Sequence, residues 1–193
     1  MKKIFLITPL ILLTGICLFF FLYIILEKNP NNPPSALLNK DLPIFSTNSL
    51  YNDYIRLSSD NIISNVNINS NLNTNVSSEE SEKKYTLINF FASWCAPCKA
   101  EHKYFFEIKK KFPDLFILGI AHKDQPNDSK KYLEKEGNPY SFVGLDQDGK
   151  IGFEFGVFGL PETFIINKQG QIIFKHIGPL TKEIIDDEIS KLF

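Results

Sequence analysis

An α/β sandwich with a mixed sheet, preceded by one N-terminal transmembrane helix, is the architecture this 193-residue chain predicts. Three observations predict it. From Tyr85 onward, apolar runs of strand length alternate with helix-spaced ones and end in a hairpin and a last helix, an order that needs a sheet flanked by helices. A C-x-x-C pair, Cys95 and Cys98, stands where the first of those strands meets the first helix. The chain also opens with 23 uncharged residues, Ile4 to Leu26. As a helix these extend roughly 35 Å at about 1.5 Å per residue.

That run is too long for the apolar region of a cleavable leader, and no A-x-A-like cleavage site precedes Pro30. Cys17 follows Ile16, where a lipoprotein signal would need a small residue, so it reads as a thiol within the span. Lys2 and Lys3 precede the span, which leaves the amino terminus in the cytoplasm and everything after about residue 27 outside it. Of 21 basic residues, 19 follow the span, against 22 acidic ones. This slightly acidic balance leaves no electrostatic footprint for nucleic acid.

Residues 1–27 are thus a cytoplasmic terminus and anchor, residues 28–40 a Pro- and Asn-rich tether, and residues 41–193 the folded domain. Leu42 to Leu57 has the pattern of a short hairpin leading into it. Residues 58–84, with "NVNINSNLNTNVSSEESEKK", are too rich in Asn and Ser to build a core and read as a disordered insertion; an edge strand is the second reading. "YTLINFFA" reads as a buried strand and Lys99 to Phe112 as a helix with Tyr104, Phe105, Ile108 and Phe112 on one face. "LFILGIA" is the next strand and Ser129 to Glu136 a short helix. "ETFIINKQGQIIFKHIG" gives two strands turning at 168–170, and Lys182 to Leu192 closes the chain as an amphipathic helix. "DQDGK", Asp146 to Lys150, is a turn, since the twelve-residue calcium-loop pattern is absent.

The C-x-x-C pair encloses too short a loop to staple the fold. A structural zinc site needs four ligands, and only Cys17 remains among the cysteines, although His102 on the same helix face and His122 or His176 could complete a metal or haem site. A lone C-x-x-C between a strand and a helix reads first as a redox pair. Cys95, at the helix N-terminus, is favoured as thiolate by the free N–H groups and the macrodipole and is the attacking sulfur. Cys98, one turn in and expected to be less exposed, resolves the mixed disulfide. Pro97 suits the first turn, and Trp94 is placed to shield the sulfurs.

"FFASWCAPC" resembles the active-site segment of thioredoxin-like proteins. "WCAPCKAEH" together with "GVFGLPETFIINKQGQIIFKHIGPL" is similar to the CcmG/DsbE family of membrane-anchored thiol:disulfide interchange proteins, from about Leu42 to the carboxyl terminus apart from the insertion. The resemblance implies a thioredoxin-like fold without cofactor or metal, standing in the periplasm on a single-pass anchor in a bacterial inner membrane. It implies a dithiol reductase that keeps apocytochrome c C-x-x-C-H motifs reduced before haem attachment, with a DsbD/CcdA-type transmembrane electron donor. It further implies a cis Pro161 facing the cysteines, with Leu160, Pro161 and Trp94 contacting substrate, and Glu101 and Glu162 as acidic groups of the active site. A strand position that is commonly Asp in thioredoxins is Asn89 here. Asn cannot take a proton, so Glu101, one helical turn beyond Cys98, becomes the candidate base. General periplasmic thiol exchange, and a non-catalytic module binding haem or metal through Cys95, Cys98 and His102, are the alternatives.

Overall fold

The computed structural model describes residues 2–26, 37–64 and 84–193, and within the first of these segments the side chains of residue 9 and residues 11–25. The chain divides into two units, residues 1–33 and 34–193. In the first, the apolar run forms one helix, α1 (Lys2–Leu26), whose described large apolar side chains are exposed. Among the described residues no helix is long and apolar enough to cross a membrane. Of the expected span, the helix is what the structure bears out.

The second unit begins with β1 (Ser46–Asn48) and β2 (Arg56–Ser58), the antiparallel hairpin its sequence predicts. Helix α2 (Ser59–Ser64) follows directly, and Ile62 and Ile63 pack against the core. The insertion expected at 58–84 therefore starts later than its composition suggests. Its remainder, 65–83, lies outside the described residues, as does the edge-strand alternative.

The main sheet has five strands in the order β5-β4-β3-β6-β7. These are β3 (Thr86–Phe91), β4 (Phe116–His122), β5 (Phe142–Asp146), β6 (Glu162–Ile166) and β7 (Ile172–Ile177). The β3-β4 and β4-β5 pairs are parallel, β3-β6 and β6-β7 antiparallel. Central β3 is buried at every position, as a strand covered on both faces requires. Leu87, Phe91 and Ile165 point to one face, where they meet α3 (Ala96–Lys111), α4 (Pro126–Glu136) and α6 (Lys182–Asp187). Ile88, Phe90, Phe164 and Ile166 point to the other, against the hairpin's Leu57 and against Ile151 and Phe155, in and just after α5 (Lys150–Glu154).

Four elements depart from expectation. Helix α4 starts at Pro126, where a missing N–H costs nothing, three residues before the expected Ser129. Strand β5 carries no clear sequence signal, because it is a five-residue edge strand interrupted by Gly144. The expected turn at 146–150 is only its exit, with α5 following at once. The closing helix stops at Asp187 and resumes as a single 3-10 turn, Ile189–Lys191.

Candidate active site

Strand β3 ends in Ala92, and a turn through Ser93 and Trp94 delivers Cys95 to the N-cap of α3. Cys95 has extended backbone angles (φ −81°, ψ 107°), and its Sγ accepts from Cys98 N at 3.2 Å. Sulfur thus takes the place of the oxygen that usually caps a helix. The two cysteines form a disulfide with Cα atoms 5.3 Å apart. Cys95 is 3% and Cys98 2% exposed, so the difference in shelter expected between the two sulfurs is marginal. Position at the helix terminus, rather than exposure, separates the two.

Buried Asp124, just after β4, holds the turn that carries Cys95. It accepts from Ser93 N (2.7 Å), Ser93 Oγ (2.9 Å), Gln125 N (3.1 Å) and Ser129 Oγ (2.5 Å). Four donors satisfy a carboxylate without a cation. Trp94 stands 63% exposed beside the disulfide, its Nε1 donating to Lys123 O at 3.4 Å. Sequence reading missed Asp124; its signal was an acidic residue two positions before a Pro-initiated helix.

Behind the disulfide, on the same sheet face, lies a closed polar network. Asn89 Nδ2 donates to Glu101 Oε1 (2.9 Å) and to Thr163 Oγ1 (3.2 Å). Tyr140 OH donates to Asn89 Oδ1 (2.9 Å), and Leu180 N donates to Glu101 Oε2 (2.7 Å). Glu101 is 1% exposed with no cation among these partners, and burial pushes its pKa up to about 8, against the lowering pull of the Leu180 and Asn89 donors. Tyr140, fully enclosed, is raised well above the usual phenol range by burial and then by Glu101. With Asn89 on the strand, the carboxyl group of this buried network is supplied by helix α3.

Glu162 does not join this network. Alternation along β6 turns Thr163 toward Asn89 and Glu162 with Phe164 toward the opposite face. There Glu162 is fully buried, accepts from Phe158 N (3.0 Å) and Gly159 N (3.3 Å), and ion-pairs with Lys175 Nζ at 3.0 Å. The structure thus separates the two glutamates that the sequence reading grouped together. The Leu160-Pro161 peptide is cis, Pro161 is buried and Leu160 half-buried.

His102 does not reach out for a ligand. It is 5% exposed, donates from Nε2 to Gly137 O (2.9 Å), and burial lowers its pKa. His122 and His176, the candidate fourth ligands, are buried, His122 against Asp146 at 2.6 Å. Among the described residues no group of three or more His, Cys, Asp or Glu side chains is gathered as a metal ion would require.

The Redoxin family matches residues 58–192. The chain is 31% identical over 166 residues to thiol:disulfide interchange protein HelX of Rhodobacter capsulatus, covering 86% of this chain and 82% of that protein. It is 31% identical over 165 residues to thiol:disulfide interchange protein DsbE of Escherichia coli, covering 86% and 78%. Among solved structures, a DsbF homologue from Corynebacterium diphtheriae superposes with a TM-score of 0.62 at 16% identity, over 86% of this chain and 97% of that one. A thioredoxin-family thiol:disulfide interchange protein from Chlorobium tepidum gives 0.59 at 21% identity, over 82% and 98%. Its thioredoxin-like fold, its Cys95–Cys98 pair at a helix N-terminus and its kinship over most of its length place this chain in the Redoxin family, among the DsbE/CcmG-type thiol:disulfide oxidoreductases.

Proposed function

We propose that this oxidoreductase works as a reductant on the outer side of a bacterial inner membrane, held there by α1, and that its substrate is the disulfide of apocytochrome c C-x-x-C-H segments. The uncharged run of α1 behind Lys2 and Lys3 supports the anchor and its orientation. Cys95 thiolate attacks one sulfur of the substrate disulfide, and the other substrate sulfur leaves and takes a proton. Cys98 then attacks Cys95 Sγ, the second substrate sulfur leaves and is protonated, and the Cys95–Cys98 disulfide remains. Two electrons and two protons pass to the substrate. A membrane dithiol donor of the DsbD/CcdA class returns the pair to its reduced form.

The observation that carries this reading is a buried carboxyl, Glu101, one helical turn beyond Cys98 and with no cation among its hydrogen-bond partners, where burial pushes its pKa up to about 8. A base is most effective when its pKa lies near that of the group it deprotonates, and an ordinary thiol sits near 8.5. Glu101 can therefore take the Cys98 proton during the second step and give it up later. Glu162 is neutralised by Lys175 on the opposite sheet face instead of acting on the sulfurs, which leaves Cys95 to the helix-terminal N–H groups that favour the attacking thiolate. In the test, reduced protein in detergent micelles is offered an oxidised C-x-x-C-H peptide and an unrelated peptide disulfide. Faster reduction of the first supports the reading; equal rates would reduce it to general thiol exchange.

A further inference from the structure

The Gly156–Pro161 loop has almost no regular secondary structure to hold it, yet it carries the cis Leu160-Pro161 peptide and leads into β6 beside the end of β3 that delivers Cys95. Two side chains from the neighbouring strands close it. Glu162 Oε1 takes both the Phe158 and the Gly159 amides, while Lys175 Nζ donates to Gly156 O (3.1 Å) and pairs with Glu162 Oε2 (3.0 Å). Lys175 is 7% exposed, an unusual place for a lysine, and sits diagonally across the β6-β7 pair from Glu162. The same ammonium lies 5.0 Å from the centre of the Phe164 ring beneath it and 5.6 Å from that of Phe158. Phe158 itself is 76% exposed. One buried ion pair therefore fixes both ends of the loop and the base of an aromatic side chain turned outward.

We infer that Lys175 and Glu162 are positioning residues for partner recognition: their ion pair preforms the loop, and Phe158 is the partner-facing side chain it presents to a protein disulfide. Both charges lie on the sheet face opposite Asn89, Glu101 and the disulfide, so they act on the partner through the loop and not on the sulfurs directly. A preformed loop spares the ordering cost of binding an extended segment, a cost that a small disulfide does not incur. The pair should therefore matter far more for a peptide than for glutathione disulfide. This inference rests on the thiol-exchange reading above.

The test uses the full chain, reduced and in detergent micelles, with an oxidised C-x-x-C-H peptide and with glutathione disulfide, alongside the equilibrium potential. Lys175→Met alone leaves a buried carboxylate unpaired, so the informative variant is Glu162→Gln with Lys175→Met, which removes both charges together. Lys175→Arg serves as the conservative rescue, and Phe158→Ala as an exposed change that does not threaten folding. The expected result is a loss of roughly tenfold or more in the peptide rate for the double variant and for Phe158→Ala. That loss should be several times larger than the loss with glutathione disulfide, with recovery in Lys175→Arg and a potential within error of wild type. An equal loss with both substrates, a shifted potential, or a wild-type peptide rate in Phe158→Ala overturns the inference. Wild-type protein that reduces neither substrate overturns the thiol-exchange reading itself, and the inference with it.

Discussion

Replacing Glu101 by Gln should remove the alkaline loss of stability that Glu101 imposes on the oxidised 34–193 unit, so that the two proteins exchange rank between acid and alkaline pH. Burial raises the Glu101 pKa from 4.5 to about 8 in the folded protein. The unfolded chain is then the stronger acid, so the full stability is present below about pH 4.5 and is lost as the pH climbs toward 8. For a shift of that size the loss is on the order of 4 kcal/mol between about pH 4 and about pH 9. Gln does not ionise, so it escapes this loss. Its amide oxygen can accept from Asn89 Nδ2 or from Leu180 N but not from both, a cost of about 1 kcal/mol at every pH. The variant should therefore be slightly the less stable protein near pH 4 and clearly the more stable one near pH 9, with the two curves crossing between about pH 5 and 6. Urea denaturation across that range reads the difference directly, and other titrating groups cancel between the two proteins. Parallel curves would show that Glu101 ionises normally where it is, and would remove its claim to be a proton carrier.

Three further outcomes follow from the same packing. Tyr140→Phe removes the donor to Asn89 Oδ1 in a buried site and should cost about 1–3 kcal/mol in denaturant midpoint, with the Glu101 titration seen by NMR displaced as Asn89 reorients. Gly119→Ala would place a Cβ 2.8 Å from two Tyr140 ring carbons, so the ring must shift; a loss of about 1–3 kcal/mol is expected, and a stability within error of wild type would mean the ring is loosely held. Asp124→Ala strips two hydrogen bonds from the turn ahead of Cys95 and two from the start of α4, and should cost roughly 3 kcal/mol or more and slow mixed-disulfide formation. An Asp124→Ala protein with normal exchange rates would show that the turn keeps its shape unaided.

Local signals in the sequence carried most of the fold. The apolar runs of β3 and β4, the spacing of Phe105 and Ile108 on α3, and Pro97 in its first turn depend on neighbours a few residues away, and each element stands where its pattern places it. Strand β5 was illegible because it is only five residues long and broken by Gly144, and its far side is met by Thr47, Ser49 and Leu50, about a hundred residues earlier in the chain. Helix α2 was hidden by the Asn-rich composition that follows it, although Ile62 and Ile63 find the core. At the site, Cys95, Cys98 and Glu101 were readable from a single helix. Asp124, Tyr140, Thr163 and Lys175 were not, because each acts on a residue far away in sequence, as Lys175 does on Gly156 and Tyr140 on Asn89. Glu162 was misjudged for a related reason: one step along a strand reverses the face, and sequence alone does not say which face of β6 looks toward the disulfide.

The central claim is that Cys95 is the sulfur that attacks a partner and Cys98 the one that releases it. Intact-mass and peptide-mapping spectrometry of the single-cysteine variants, each exposed to an oxidised C-x-x-C-H peptide, tests it most directly. Cys98→Ser should accumulate a stable mixed disulfide mapped to Cys95, and Cys95→Ser should accumulate none. A peptide adduct on Cys98 in the Cys95→Ser protein, with none on Cys95 in the other, would reverse the assigned roles and contradict the account.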